Sequence, residues 1–138
     1  HVIALRELKQ IREQKLFATT EHKLYHTRLT DVVRQYLERR YGVNAMEQTT
    51  SETMVALSAT DLKSNKELER KLSQTLTLAD LVKFAKYIPS VTENEASLTL
   101  SEEFVEQTAP VANMPQNTGI ESIAATDEDE TQTLKEKE

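Results

Sequence analysis

Cysteine is missing from all 138 residues, and glycine occurs only twice and proline three times. Without sulfur there is no disulfide, no thiolate nucleophile and no zinc–thiolate site, and the composition leans towards a reducing compartment. With so little glycine there is no loop that could cradle a phosphate, and no G-x-S-x-G turn to raise a serine nucleophile. Long apolar runs are absent as well. None approaches the roughly 20 residues that span a bilayer, and the opening HVIALRELKQ carries charge too early for a signal peptide. His1 is no natural initiator, so a fragment of a larger protein is expected.

What is present is an ordinary mixture for one small folded domain, 38% hydrophobic and 29% charged. The charge is unevenly spread. Residues 1–108 hold 15 Lys and Arg against 16 Asp and Glu, whereas residues 109–138 hold 2 against 7. The chain therefore divides into an expected folded domain, 1–108, and an acidic tail, 109–138. The tail has two prolines, one glycine, no aromatic residue and the run Asp127 to Glu130. It cannot bury enough apolar area to offset chain entropy and is expected to be disordered. Its plainest role is a solvated linker, though acidic tails also compete for basic surfaces.

The folded part reads as helices throughout. Leu5, Leu8, Ile11 and Leu16 recur at helical spacing and predict a first helix over Ile3–Phe17. Thr20 is a candidate N-cap for a second helix ending at Tyr41, with Leu24, Leu29, Val32, Val33, Tyr36 and Leu37 on its apolar face. Gly42 supplies the left-handed residue that closes it. Thr49-Thr50-Ser51-Glu52 has the capping-box pattern and opens a short helix with Met54, Val55 and Leu57. Ser64-Asn65-Lys66-Glu67 repeats that signal before Leu68, Leu72 and Leu76. The periodicity then passes Thr75–Thr77, where a bend is expected, into Leu78, Leu81, Val82, Phe84 and Ala85, until Pro89 forbids continuation. Thr92-Glu93-Asn94-Glu95 predicts the last helix, holding Ala96, Leu98, Phe104 and Val105. No alternating strand with a hairpin turn occurs. The expected fold is all-α, a compact bundle of about five helices whose short connections favour antiparallel neighbours.

No arrangement of residues amounts to a catalytic site, and no cofactor or metal is expected. His22 and His26 have the four-residue spacing that presents two imidazoles to a metal, yet HKLYH lacks the adjacent glutamate and a third ligand. They read as exposed structural histidines. Asp31 and Asp80 could be imagined as an acid–base pair, but they read more simply as early-helix and surface aspartates. Arg34, Arg39 and Arg40 with Lys83 and Lys86 raise a DNA-binding alternative, because residues 30–57 can be drawn as a helix-turn-helix. Its would-be reading helix, SETMVALSAT, has no Arg, Lys, Asn or Gln to address a base edge. Arg34 is then expected to form a solvated pair with Glu38 four residues on. Tyr25, Tyr36, Tyr41 and Tyr87 suit the edges of a core better than a stacking platform, and core packing accounts for Phe84.

Two stretches carry a family resemblance: RLTDVVRQYLERRYGVNAMEQTTSE and LTLADLVKFAKYIPSVTENEASLTLSEEFVEQT. Their order resembles the cytoplasmic C-terminal region of an uncharacterised membrane-protein family of Bacteroidetes linked to aerotolerance (Bat) operons. The matching features are the LT-x-x-x-R-x-Y-x-E helix ending in Tyr-Gly, the Thr-Thr-x-Glu cap, and the ADLVKFAKYIP segment, Leu29–Glu52 and Ala79–Pro89 here. The resemblance covers about residues 3–108 and implies a single-pass inner-membrane protein with its transmembrane helix upstream and this domain on the cytoplasmic side. It implies operon neighbours of the MoxR-type AAA+ ATPase and von Willebrand factor A classes as protein partners, and no enzymatic activity. The expected function is a non-catalytic protein-interaction domain. Its candidate partner surface is Lys83, Phe84 and Lys86, with Arg39 and Arg40 joined to them by chain logic alone. A purely structural spacer between a membrane anchor and the tail is the third reading.

Overall fold

The computed structural model describes residues 1–110, and the disorder expected for the tail concerns residues outside them. Five α-helices follow one another, α1 (Val2–Glu13), α2 (His22–Tyr41), α3 (Thr50–Leu57), α4 (Lys66–Phe84) and α5 (Val91–Thr108). Short 3-10 turns at Leu16–Ala18, Ala45–Glu47 and Asp61–Ser64 join the first four, and no strand occurs among the described residues. The all-α bundle is therefore as the periodicity dictates. No helix among the described residues is long and apolar enough to cross a membrane.

Local chemistry sets the boundaries, with several corrections. α1 stops at Glu13, not Phe17, because Lys15 takes the left-handed conformation (φ 54°) and the chain turns there. Leu16 and Phe17 still reach the core, but from the 3-10 turn. α2 begins at His22 without a side-chain cap; the Thr19 hydroxyl, not that of Thr20, accepts from the Glu21 amide. It ends at Gly42 (φ 71°), as its glycine demands, with the Gly42 amide on the Glu38 carbonyl. Thr49 and Glu52 close the capping box of α3 reciprocally. The cap of α4 is Asn65, whose side chain accepts from the Leu68 amide. No break occurs at Thr75–Thr77: α4 is continuous, and Thr75 turns its hydroxyl back onto the Lys71 carbonyl. α5 opens two residues earlier than its sequence signal, on a Ser90–Glu93 box.

His1–Thr108 packs as one unit around a core that includes Leu8, Ile11, Leu29, Leu37, Leu57, Leu72, Leu76, Leu98 and Phe104. Each such side chain contributes about 1.5–3 kcal/mol by leaving water. α1 and α4 both pack on α2 and α5. α2 and α5 run in the same direction: Tyr25 and His26 meet Asn94, and Tyr36 and Arg40 meet Thr108. α4 runs against both, with Lys83 near Thr30 and Lys71 near Glu103. Arg12 clamps α1 to α5 by donating to both Glu102 carboxylate oxygens and to Thr99. Buried hydroxyls need no outside partner, because Thr30, Ser101 and Thr108 each donate to the carbonyl four residues back.

Candidate interaction surface

The end of α4 is where the helical pattern and the packing part company. Leu68, Leu72, Leu76 and Ala79 form its buried stripe, whereas Leu81 and Phe84 share a face with Arg70, Gln74 and Thr77. That face looks to solvent, and Phe84 is 78% exposed. Phe84 is thus no core residue, contrary to the packing role read from its sequence. The following loop displays Tyr87 and Ile88, the latter 77% exposed. Across from it, Leu24 lies on the stripe of Arg28, Asp31 and Gln35 and is 65% exposed, so it too leaves the core assigned to it.

The loop is held firmly. Both Ala85 and Tyr87 amides donate to the Leu81 carbonyl, and Lys86 sits in the left-handed region (φ 59°). The Tyr87 hydroxyl donates to the Glu93 carboxylate, the same group that accepts from the Ser90 amide to open α5. Pro89 is buried. A non-glycine residue in the left-handed region costs roughly 1–2 kcal/mol, and these bonds on either side of Lys86 retain it.

Two grooves flank the end of α4. One, of about 720 Å³, runs between the first turn of α2 and the loop, lined by Leu24, Thr27, Val82, Tyr87 and Ile88 with Lys23 and Lys86 at its rim. The other, of about 620 Å³, lies between α4 and the start of α3, lined by Arg34, Met46, Thr50, Asp80, Leu81 and Phe84. Lys83 is half-buried and also lines the second groove; it donates to the Thr30 hydroxyl at 3.2 Å and lies 5.7 Å from the centre of the Phe84 ring. Burial holds its ammonium below the usual lysine range, with Arg34 acting in the same direction and Asp80 and Asp31 opposing.

Of the five candidate residues, the structure brings together Lys83, Phe84 and Lys86 and separates the other two. Arg40 lies beside Leu68, fifteen residues up α4 from Lys83, or about 22 Å along the helix. It is occupied there, donating to the Thr108 carbonyl at 2.7 Å and pairing with Asp61 at 3.7 Å, while Arg39 is exposed.

Arg34 does not pair with Glu38, which accepts instead from the Met46 amide. Its guanidinium is buried and donates to the Ala45 and Gln48 carbonyls and to the hydroxyls of Thr53 and Thr50. Thr50 in turn donates to Asp80 at 2.6 Å. A five-donor fork fits such a set of acceptors where lysine could not, so the residue tethers the α2–α3 connection to α2. Asp31 is exposed, and the two aspartates serve the surface and this tether.

His26 is fully buried, which corrects its reading as an exposed residue. Asn94 fixes the ring. The asparagine amide nitrogen donates to the Phe17 carbonyl at 3.1 Å, so its oxygen faces His26 Nε2 at 2.7 Å and must accept from it. The neutral ring therefore carries its proton on Nε2 and leaves Nδ1 buried without a partner. His22 Nδ1 approaches the same asparagine amide nitrogen at 3.3 Å. Both histidines are turned onto Asn94, and no group of three metal-ligating side chains occurs among the described residues.

Leu24, Leu81 and Ile88 were not among the candidates, though their stripe or loop position was countable from the sequence. Compared with known proteins, the chain matches no family model, no curated protein and no solved structure.

Proposed function

We propose that this chain is a non-catalytic protein-interaction domain that grips its partner through the end of α4, the α4–α5 loop and the first turn of α2. One observation carries the reading: Leu24, Phe84 and Ile88 stand at 65, 78 and 77% exposure on a loop and helix ends pinned by hydrogen bonds. Apolar side chains displayed on a fixed framework lose little conformational entropy on docking, the condition under which exposed hydrophobic area turns into affinity. The proposed partner class, a MoxR-type AAA+ ATPase or a von Willebrand factor A protein, and the proposed position on the cytoplasmic side of the inner membrane rest on the sequence resemblance alone. The DNA-binding alternative loses two of its arginines to internal bonds, since Arg34 is buried and Arg40 is held by Thr108 and Asp61.

The test is titration of the full chain onto the purified ATPase with and without ATP, with duplex DNA as comparison ligand. Saturable ATPase binding that is lost in the Phe84→Asp, Ile88→Asp double variant supports the reading. Salt-sensitive duplex binding with no ATPase binding would replace it with the DNA-binding alternative.

A further inference from the structure

We propose that His26 is a proton-sensitive latch: with a neutral ring it closes the end of the bundle that carries Leu24, Tyr87 and Ile88, and a proton taken up there opens that end. Its effect on partner binding rests on the reading above; the latch itself does not. Asn94, fully buried like His26, is the centre of it. Its side chain accepts from His26 Nε2 at 2.7 Å, donates to the Phe17 carbonyl at 3.1 Å and faces His22 Nδ1 at 3.3 Å. Its backbone carbonyl accepts from the Tyr25 hydroxyl at 2.8 Å. One residue thus joins the first 3-10 turn, the start of α2 and the start of α5. The preceding Glu93 holds the α4–α5 loop through Tyr87 and Ser90.

The arrangement fits neutral imidazoles. A proton added to His26 must go to Nδ1, which is buried and meets no acceptor. On His22 Nδ1 a proton would face the Asn94 amide that donates there, donor against donor. Burial is the largest effect against a cation at His26; His22 from α2 and Lys83 from α4 add to it, and Asn94 and Glu93 from α5 oppose it. Arg12 of α1 faces the adjacent Tyr25 and is spent on Glu102. The end that His26 closes is also poor in core. Of the largest fully buried side chains among the described residues, His26 alone falls within 16–27 or 86–94. Segments with few buried apolar contacts open at a lower free energy than the whole fold, so a proton that the closed form rejects is accommodated by opening them. Those segments carry Leu24, Tyr87 and Ile88, and the proposed surface is dismantled with them.

The experiment is amide exchange on the isotopically labelled full chain at about pH 7.5 and 5.5, corrected for the intrinsic effect of pH, with the histidine ring nitrogens followed in the same samples. Amides in 16–27 and 86–94 should exchange well ahead of those of Leu57 and Leu72 at pH 5.5, which marks an opening of their own. Their protection should fall several-fold between the two values, about tenfold being the ceiling for one histidine of ordinary pKa, and the fall should shrink in His26→Gln. The proposal is overturned if these amides are as protected as Leu57 and Leu72 at pH 5.5, or if their loss persists undiminished in His26→Gln. The natural chain alone also decides it, because a His26 ring protonated at pH 5.5 with protection unchanged would overturn it whether or not the variant folds. Titration of the ATPase at both values separates the latch from the function: affinity should weaken several-fold in acid, less so in His26→Gln. Opening with undiminished ATPase affinity would overturn the control of binding. Opening with no ATPase binding at either value would support the latch and remove the named partner.

Discussion

Replacing Arg34 by methionine should destabilise the domain by about 2–4 kcal/mol, although the position looks from sequence like a solvated surface arginine. The guanidinium donates four hydrogen bonds, at 2.9 Å to Ala45 O, 3.1 Å to Gln48 O, 3.0 Å to Thr53 Oγ1 and 3.1 Å to Thr50 Oγ1. Methionine fills the stem's volume and donates none. Ala45 is fully buried, and its carbonyl would keep only the 3.3 Å turn bond from the Gln48 amide. A buried acceptor left short of its donor costs about 1–3 kcal/mol. Thr50 keeps Asp80 and Thr53 keeps a long contact to Gln48 Oε1, so those losses are partial. Against them stands relief from burying a cation, the effect that holds the Arg34 pKa below its usual value. Arg34→Lys should cost less than methionine but more than a surface change, because one ammonium cannot reach all four acceptors. Urea unfolding followed by circular dichroism reads the change, and amide exchange should accelerate first across Ala45–Thr53. A loss under about 1 kcal/mol for Arg34→Met would refute the tether.

Acid should destabilise the fold through His26, whose burial pushes its pKa below the ordinary 6.5, with His22 and Lys83 adding to that push and Asn94 and Glu93 opposing it. Above about 6.5 the ring is neutral folded or unfolded; as pH falls through that value the unfolded chain binds the proton first, so stability drops until the lower folded pKa is reached. Comparing urea midpoints at about pH 7.5 and 5.5, the loss should be larger in the natural chain than in His26→Gln, and equal losses would contradict the account. Gly42→Ala should cost roughly 1–2 kcal/mol from left-handed strain alone, since a Cβ there meets nothing within 4 Å; a thermal midpoint unchanged from the natural chain would deny that strain. Phe84→Ser and Ile88→Ser should leave the unfolding free energy within about 0.5 kcal/mol, because both side chains stand in solvent. A large loss on urea unfolding would return them to the core.

The helices were legible wherever a local signal is self-sufficient. Gly42 and the Thr49–Glu52 box act through their own backbone, and the structure uses both as the sequence reads. Residue periodicity found the buried faces of α2 and α4 but assigned Leu24 and Phe84 by hydrophobicity, when Arg28, Asp31 and Gln35 share the stripe of the first and Arg70, Gln74 and Thr77 that of the second. Helix ends set by a left-handed lysine left no sequence mark, because Lys15 and Lys86 owe that conformation to the chain around them. The parallel course of α2 and α5 was also out of reach, and with it the meeting of Asn94 with His26 at a separation of 68 residues. Arg34 was misread for the same reason: its partners at positions 45–53 follow from how the connection folds back. The candidate surface was half legible, since Lys83, Phe84 and Lys86 lie at or just past the end of α4 while Arg39 and Arg40 lie at the end of α2.

Site-specific photo-crosslinking tests the central claim most directly. A photoreactive side chain is placed in turn at Phe84, Ile88, Val2 and Arg39, all exposed, and the full chain is irradiated with the purified MoxR-type ATPase. The account predicts adducts from positions 84 and 88 and none from 2 or 39. Equal adducts from Val2 or Arg39, or none from Phe84 and Ile88, would contradict it.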